Sequence, residues 1–274
     1  VRIVVEAAFP RKCRACNRYW LPGDTPVEGT YRQWEGDAPD AGMATLFQRV
    51  ASPFICPECL TDFEPMASPL CRRCGVMFGS RIGEDHLCGD CLQHPGHFRR
   101  ARSAGAYDGA LMALIHQLKY RACLALDYPL ARLLQQAFVR DWQMDEIDLV
   151  LPVPLHARRL RQRGFNQAQM LVRAWKKMDK GLMAGARFAR SRDIMLRSKP
   201  TVPQTGLGRK ERRRNIRGAF KVVDHHRVEG KRILLVDDVF TTGATADEAA
   251  RELKKCGADC VDVLTVARTM PRSW

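Results

Sequence analysis

The sequence predicts an α/β domain with a mainly parallel sheet flanked by helices, preceded by a small cysteine-rich domain. Three observations predict it. Apolar runs at 147–154, 232–236 and 260–267 alternate with stretches of helical period, as in strands buried on both faces of a parallel sheet. Eight of the 11 cysteines form four Cys-x-x-Cys pairs within the first hundred residues. The texture also changes near residue 99. Residues 1–98 are rich in Cys, Pro and Gly with little sustained periodicity, whereas residues 99–274 are periodic.

In chain order, the paired cysteines come first. They are Cys13/Cys16, Cys56/Cys59, Cys71/Cys74 and Cys88/Cys91. Two Cys-x-x-Cys turns supply the four thiolates of a tetrahedral zinc ion. The gap from Cys74 to Cys88 suits one ribbon-type site, so Cys71, Cys74, Cys88 and Cys91 form one predicted ligand set. Cys13, Cys16, Cys56 and Cys59 form a second, and an interleaved pairing stays open. Both zincs are expected to be structural, since four thiolates leave no open position. His86, His94 and His97 read as loop residues. Cys123, Cys256 and Cys260, among apolar neighbours, are expected as small core residues.

Asp108 is placed to cap a helix whose Leu111, Leu114, Ile115 and Leu118 fall at i, i+3, i+4 and i+7. Residues 129–139 read as another helix, 147–154 as a strand ended by prolines, and 165–178 as a helix. Residues 190–210 read as a loop, and "RKERRRNIRGAF" as a short basic helix leading to a strand near Phe220. "RILLV" is the second apolar strand. Thr245 to Lys255 reads as a helix stopped by Gly257, and residues 260–267 as the third strand.

Composition narrows the class. The chain has 274 residues, 46% of them apolar, enough for a core and against disorder. There is no apolar run of about 18 residues, and "VRIVVEAAFPRKC" is too short in apolar length for a signal peptide, so a cytoplasmic protein without membrane insertion is expected. The net charge of +15 is concentrated: residues 155–217 carry 19 Lys/Arg against Asp179, Asp193 and Glu211. Such a field attracts polyanions, either nucleic acid or a small polyphosphate.

"RILLVDDVFTTGAT" (232–245) carries the chemistry. Ligands of parallel sheets sit at the carboxyl ends of strands, where this strand delivers Asp237 and Asp238. Adjacent carboxylates can accept hydrogen bonds from the vicinal diol of a ribose. The small-residue turn then opens a helix whose unpaired amides suit a phosphate. A Walker B strand would need a Gly-x-x-x-x-Gly-Lys-Ser/Thr loop, which is absent, and too few residues follow Asp238 for a receiver domain.

The stretch resembles the phosphoribosyl pyrophosphate (PRPP) motif of type I phosphoribosyltransferases. "VLPVPLHARRLRQRGFNQAQML" (150–171), "YDGALMALIHQLKY" (107–120) and "PQTGLGRKERRRNIRGAF" (203–220) resemble segments of the competence protein F (ComF) family. The resemblance implies a type I phosphoribosyltransferase-like fold at 99–274 behind a zinc-binding domain at 1–98. It implies that Asp237 and Asp238 hold the sugar diol, directly or through magnesium. Thr241, Thr242, Gly243, Ala244 and Thr245 would take the 5-phosphate. Val153, Pro154, Leu155, His156, Arg158, Arg159 and Arg163 would meet the pyrophosphate. Arg209, Arg212, Arg213 and Arg214 would close over pyrophosphate or track a nucleic-acid backbone. Lys119 and Tyr120 would only close their helix.

Family resemblance further implies DNA uptake in natural transformation, or DNA utilisation. Three functions follow: PRPP-dependent phosphoribosyl transfer, a catalytically silent PRPP- or nucleotide-sensing module that binds single-stranded DNA, or a scaffold for uptake or helicase proteins. No residue in the sequence names the acceptor.

Overall fold

The computed structural model describes residues 10–21, 42–80, 82–178, 188–201 and 208–271. The front of the chain forms a short antiparallel pair, β1 (Arg11–Lys12) and β2 (Tyr19–Trp20), then three helices, α1 (Met43–Ala51), α2 (Pro57–Leu60) and α3 (Gly89–Gln93). Next come β3 (Ala101–Ala106), α4 (Gly109–Arg121), α5 (Asp127–Asp141), β4 (Leu149–Pro152), α6 (Ala157–Arg163), α7 (Gln167–Met178) and β5 (Ala189–Arg190). The chain continues with β6 (Met195–Arg197), α8 (Arg209–Ile216), β7 (Phe220–Val222), β8 (Arg232–Phe240), α9 (Ala244–Lys255) and β9 (Cys260–Arg268).

Five strands form one sheet in the order β3-β9-β8-β4-β5, and every neighbouring pair is parallel. Register aligns Leu151 with Leu235 and Leu235 with Val263, so the carboxyl ends of β4, β8 and β9 share one edge.

Alternation along the strands sends side chains to two buried faces. Val150, Leu234, Val236 and Leu264 pack with Leu134 and Phe138 of α5, Trp175 of α7 and Phe47 of α1. Leu149, Leu151, Ile233, Leu235 and Val263 pack with Ala249, Ala250 and Leu253 of α9, and with Phe220 and Val222 of β7. The two halves of the chain share these cores. Phe47 stacks on Phe63 with ring centroids 4.2 Å apart, and Pro65 bridges to Gly105 of β3.

Most predicted elements form where expected. Asp108 Oδ1 accepts from Gly109 N at 2.8 Å, capping α4, and its four periodic residues are buried. α9 ends at Lys255, just ahead of Gly257 with φ +85°. Several differences stand out. α1, β3 and α6 form in stretches given no element, as do the shorter β1, β2, α2, α3 and β5. Within the predicted 190–210 loop, Met195–Arg197 forms a strand that pairs antiparallel with β7, apart from the main sheet. β8 also runs on through both aspartates to Phe240, because its ladder with β9 continues to Phe240↔Arg268. Residues 202–207, at the start of the predicted basic segment, lie outside the described residues. Cys123, Cys256 and Cys260 are half-buried, with Cys123 and Cys256 packed at the margins of the two cores.

Candidate functional site

β4 and β8 lie side by side, but the chain leaves β4 towards β5 and leaves β8 towards β9. Loops that diverge from neighbouring parallel strands open a crevice at their carboxyl ends. A cavity of about 1160 Å³ occupies that position. Asp237, Asp238, Thr241, Gly243 and Thr245 line it from β8 and the turn that follows. Val153, Leu155, Arg159 and Arg163 line it from the β4 side, and Arg197 and Arg212 from beyond β5.

The two carboxylates occupy different environments. Asp238 shares its strand face with Leu234 and Val236 and is only 8% exposed. There Lys119 Nζ, from the last turn of α4, meets its Oδ1 at 2.7 Å. Burial opposes the lysine's charge, but Asp238 outweighs it, so the ammonium form is held more firmly than usual. Lys119 thus does more than close its helix: it is the counter-charge of the acidic pair. Asp237 shares its face with Ile233 and Leu235. Its Oδ1 accepts from Asp238 N at 2.9 Å, and no salt bridge reaches it among the described residues. Burial, with Asp238 beside it, pushes its carboxyl up to about 7 from 3.8.

The turn after β8 is built for close backbone approach. Gly243 has φ +77° and caps α9, and a Cβ there would sit 2.6 Å from Phe240 Cζ. Both the left-handed backbone and the ring beneath it exclude a side chain. Asp247 N donates to Gly243 O at 2.8 Å, so the helix starts at once, and Ala244 N is steadied by Thr242 Oγ1 at 3.4 Å. Thr241 and Thr245 face the large cavity. Thr242 and Ala244 line a second, smaller cavity of about 260 Å³ behind the turn.

On the β4 side, the loop after Pro152 is held by Asn166, whose Nδ2 donates to Val153 O at 3.0 Å. His156 is the N-cap of α6, its Nδ1 accepting from Arg158 N at 3.2 Å. That bond ties the ring to the helix start, and neither His156, Pro154 nor Arg158 lines the cavity. Arg159, Arg163, Arg197 and Arg212 do. Burial and the neighbouring Arg163 pull Arg159 below its ordinary value. Burial and Arg159 pull Arg197 down to about 10. Crowded and partly buried, these cations concentrate positive charge on one wall of the cavity. Arg213 and Arg214 are exposed, Arg213 at the rim of the smaller cavity, and the side chain of Arg209 lies outside the described residues.

Sequence reasoning missed Arg197, Tyr107 and His116, all of which line the cavity. Arg197 was inside a presumed loop. Tyr107 Oη and His116 Nε2 lie 2.7 Å apart, a pairing across α4 that spacing alone does not announce.

The eight cysteines fall into two groups, Cys13/Cys16/Cys56/Cys59 and Cys71/Cys74/Cys88/Cys91, with all sulfurs of a group within 4.8 Å of one another. This resolves the pairing without interleaving. Cys16 Sγ and Cys56 Sγ are 3.7 Å apart, as are Cys74 Sγ and Cys88 Sγ. A tetrahedron with zinc–sulfur bonds of about 2.3 Å has edges of about 3.8 Å, so the donor sets fit zinc. Backbone amides support the sulfurs: Cys56 N donates to Cys13 Sγ at 3.3 Å, and Cys74 N and Cys88 N each donate to Cys71 Sγ at 3.4 Å.

Comparison with known proteins agrees with this geometry. A phosphoribosyl transferase domain model matches residues 187–272, and a double zinc ribbon domain model matches residues 48–92. Competence protein F of Haemophilus influenzae is 32% identical over 224 residues, covering 80% of this chain and 92% of its own. The chain belongs to the competence protein F family. Other relatives of this ComF chain include DNA utilization protein YhgH of Salmonella typhi, 33% identical over 79% of this chain and 91% of its own. Competence protein ComFC of Bacillus subtilis is 24% identical over 84% and 90%. The matched ribbon segment holds three of the four cysteine pairs, and the fold brings the remaining pair, Cys13/Cys16, to Cys56/Cys59. Among the described residues, no helix is long and apolar enough to cross a membrane.

Proposed function

We propose that this ComF chain binds PRPP with magnesium in the large cavity, and that its transferase-like domain, residues 99–274, serves DNA uptake or DNA utilisation in the cytoplasm. One observation carries the reading: an acidic pair, the glycine turn at a helix start and four arginines line a single cavity at the sheet's switch point. The relatives' names, competence protein and DNA utilization protein, support the process.

In this reading Asp237, the carboxylate without an ion pair, meets the ribose diol or the magnesium that PRPP carries, a hard cation that takes oxygen ligands. The amides of the Thr241–Thr245 turn hold the 5-phosphate. Val153 and Leu155 approach the pyrophosphate through their backbone, and Arg159, Arg163, Arg197 and Arg212 offset the negative charge that grows as pyrophosphate departs. The sugar carbon left behind is oxocarbenium-like and is captured by the acceptor. Calorimetry with PRPP and magnesium tests the site. Wild type should bind and Asp237→Asn should lose at least about tenfold, as expected for a lost charge-assisted contact; equal affinities would remove Asp237 from the site. Pyrophosphate release in a screen of bases and oligonucleotides selects the enzyme, and binding without turnover selects a sensor.

A second reading is favoured by the exposed Arg213 and Arg214, which are not among the residues lining the large cavity. They suit a nucleic-acid backbone. Replacing Arg212, Arg213 and Arg214 with Ala should reduce the salt slope of single-stranded DNA binding by about two. An unaltered slope excludes α8 from that surface.

A further inference from the structure

The second cysteine group lies directly behind the phosphate turn, and one buried arginine joins them. Arg268, the last residue of β9, is 7% exposed. Its Nη2 donates to Cys74 Sγ at 3.3 Å. Its Nε and Nη1 are buried and have no hydrogen-bond partner among the described residues. Its guanidinium lies 4.6 Å from the centre of the Phe240 ring. That ring is the floor under Gly243, and it meets Phe98, at the end of the ribbon segment, edge-on with centroids 5.8 Å apart. A second strut runs beside this one: His97 N donates to Asp247 Oδ1, in the first turn of α9, at 2.5 Å.

Burying a guanidinium with two unpaired nitrogens is costly unless a counter-charge is close. No carboxylate is recorded against Arg268 among the described residues. Four thiolates around a divalent zinc carry a net charge of −2, and the hydrogen bond to Cys74 places Arg268 against that charge.

We propose that Arg268 is a positioning residue that makes the shape of the phosphate turn depend on zinc in the second cysteine group. With zinc bound, the cluster's charge holds Arg268 over Phe240, and Phe240 holds Gly243 in its left-handed conformation. Without zinc, nothing clamps the four sulfurs together, the contact of Cys74 Sγ with Arg268 is no longer fixed, and Arg268 is free to leave its place over Phe240. The turn then loses its floor. By linkage, an anion held by the turn stabilises zinc in this group, and zinc in this group tightens the turn's grip on an anion. The first cysteine group, which contacts neither Arg268 nor the turn, has no such linkage.

Hydrogen exchange of the full chain, without any ligand, tests the link independently of PRPP. Cys74→Ser and Arg268→Met should each speed exchange at residues 240–247 by about tenfold or more, the mark of a locally loosened segment. Zinc analysis should give about one zinc for Cys74→Ser and two for Arg268→Met. Arg268→Lys, which keeps a cation beside the cluster, should recover part of the protection, and Cys16→Ser should leave residues 240–247 as in wild type. The proposal is overturned if Arg268→Met keeps wild-type exchange, or if Cys16→Ser loosens the turn as much as Cys74→Ser does. A second arm concerns the linkage and rests on the turn being the PRPP phosphate site. PRPP with magnesium should slow chelator extraction of one of the two zincs about tenfold in wild type and have no effect on it in Arg268→Met. If wild type fails to bind PRPP at all, the functional reading falls while the exchange result still decides the role of Arg268. If PRPP binds but zinc extraction is unchanged, the linkage fails.

Discussion

The two faces of the sheet hold similar parts in different arrangements. Each has a four-cysteine group in its core, and each receives one of the two adjacent aspartates. On the face with Cys13, Cys56 and Cys59, Asp238 is neutralised by Lys119 at 2.7 Å inside a large apolar cluster. On the face with Cys71, Cys74 and Cys91, Asp237 has no ion pair among the described residues, and the cluster stands against the turn that follows β8. A strand's alternation alone produces this split. One carboxylate is committed to holding α4 on the sheet; its neighbour is left with an unmet charge beside an open cavity. Identical residue types, one position apart on the wall of one cavity, therefore divide into an ion-paired acid and an unpaired acid.

The largest expected effect breaks the structural half. Asp238→Asn leaves the Lys119 ammonium largely buried without its partner. Removing one member of a buried pair costs about 3–5 kcal/mol, so urea unfolding at pH 7 should show a loss of that order. Lys119→Met combined with Asp238→Leu should recover most of it, because an apolar pair of similar size carries no stranded charge. A loss below about 1 kcal/mol for Asp238→Asn would mean that the pair is solvated like a surface bridge, and the contrast between the faces would vanish.

The opposite sign is expected at Asp237. Its carboxyl binds a proton more tightly in the folded chain, at about 7, than its ordinary 3.8. A raised carboxyl contributes stability that is complete below pH 4 and is lost as pH rises through about 7. Above that, the folded chain bears a poorly compensated charge. Asn is neutral throughout, so Asp237→Asn should raise stability by about 1–3 kcal/mol at pH 8, discounted for the partial exposure of the group. The gain should shrink to nothing near pH 4. A thermal melting series from pH 4 to 8 reads it, and a gain independent of pH would assign the effect to packing instead of charge.

The sequence carried much of this, for identifiable reasons. β8, β9 and the four-cysteine groups were legible because each is written locally, as an unbroken apolar run or a fixed spacing. The acidic pair and the threonine turn were legible because they too are contiguous. β3 was not. "ARSAGA" has no β-branched residue and no long apolar run, and it becomes a strand through its ladder with β9 and through Phe63, which a Cβ on Gly105 would approach to 2.5 Å. α1 had a signal that was passed over: Met43, Leu46, Phe47 and Val50 keep helical spacing, and all are buried, but the helix is only nine residues long. Lys119 and Arg268 were illegible because each meets its partner across the fold: Lys119 reaches Asp238, and Arg268 reaches Cys74, 194 positions earlier. What a spacing cannot show is which of two equivalent groups is neutralised by something distant.

The smallest expected effect concerns the first cysteine group and sharpens the comparison most. Its route to the cavity is indirect. Gln117 Nε2 of α4 donates to Arg14 O, between Cys13 and Cys16, at 3.2 Å, and the same helix carries Lys119 two residues on. The rest of the connection is apolar packing, with Leu60 and Phe63 beside Leu111 and Leu114 in one buried cluster. Such a contact positions a helix as a whole without setting any single cavity group. Cys16→Ser should therefore lower zinc from about two per chain to about one and reduce the melting temperature, since metal binding here is folding free energy. PRPP affinity should change by less than about threefold, the usual limit for sites without a shared partner. A tenfold loss of affinity would show that α4 transmits the metal's state to Asp238 through Lys119, and both faces would then have to be counted as parts of the site.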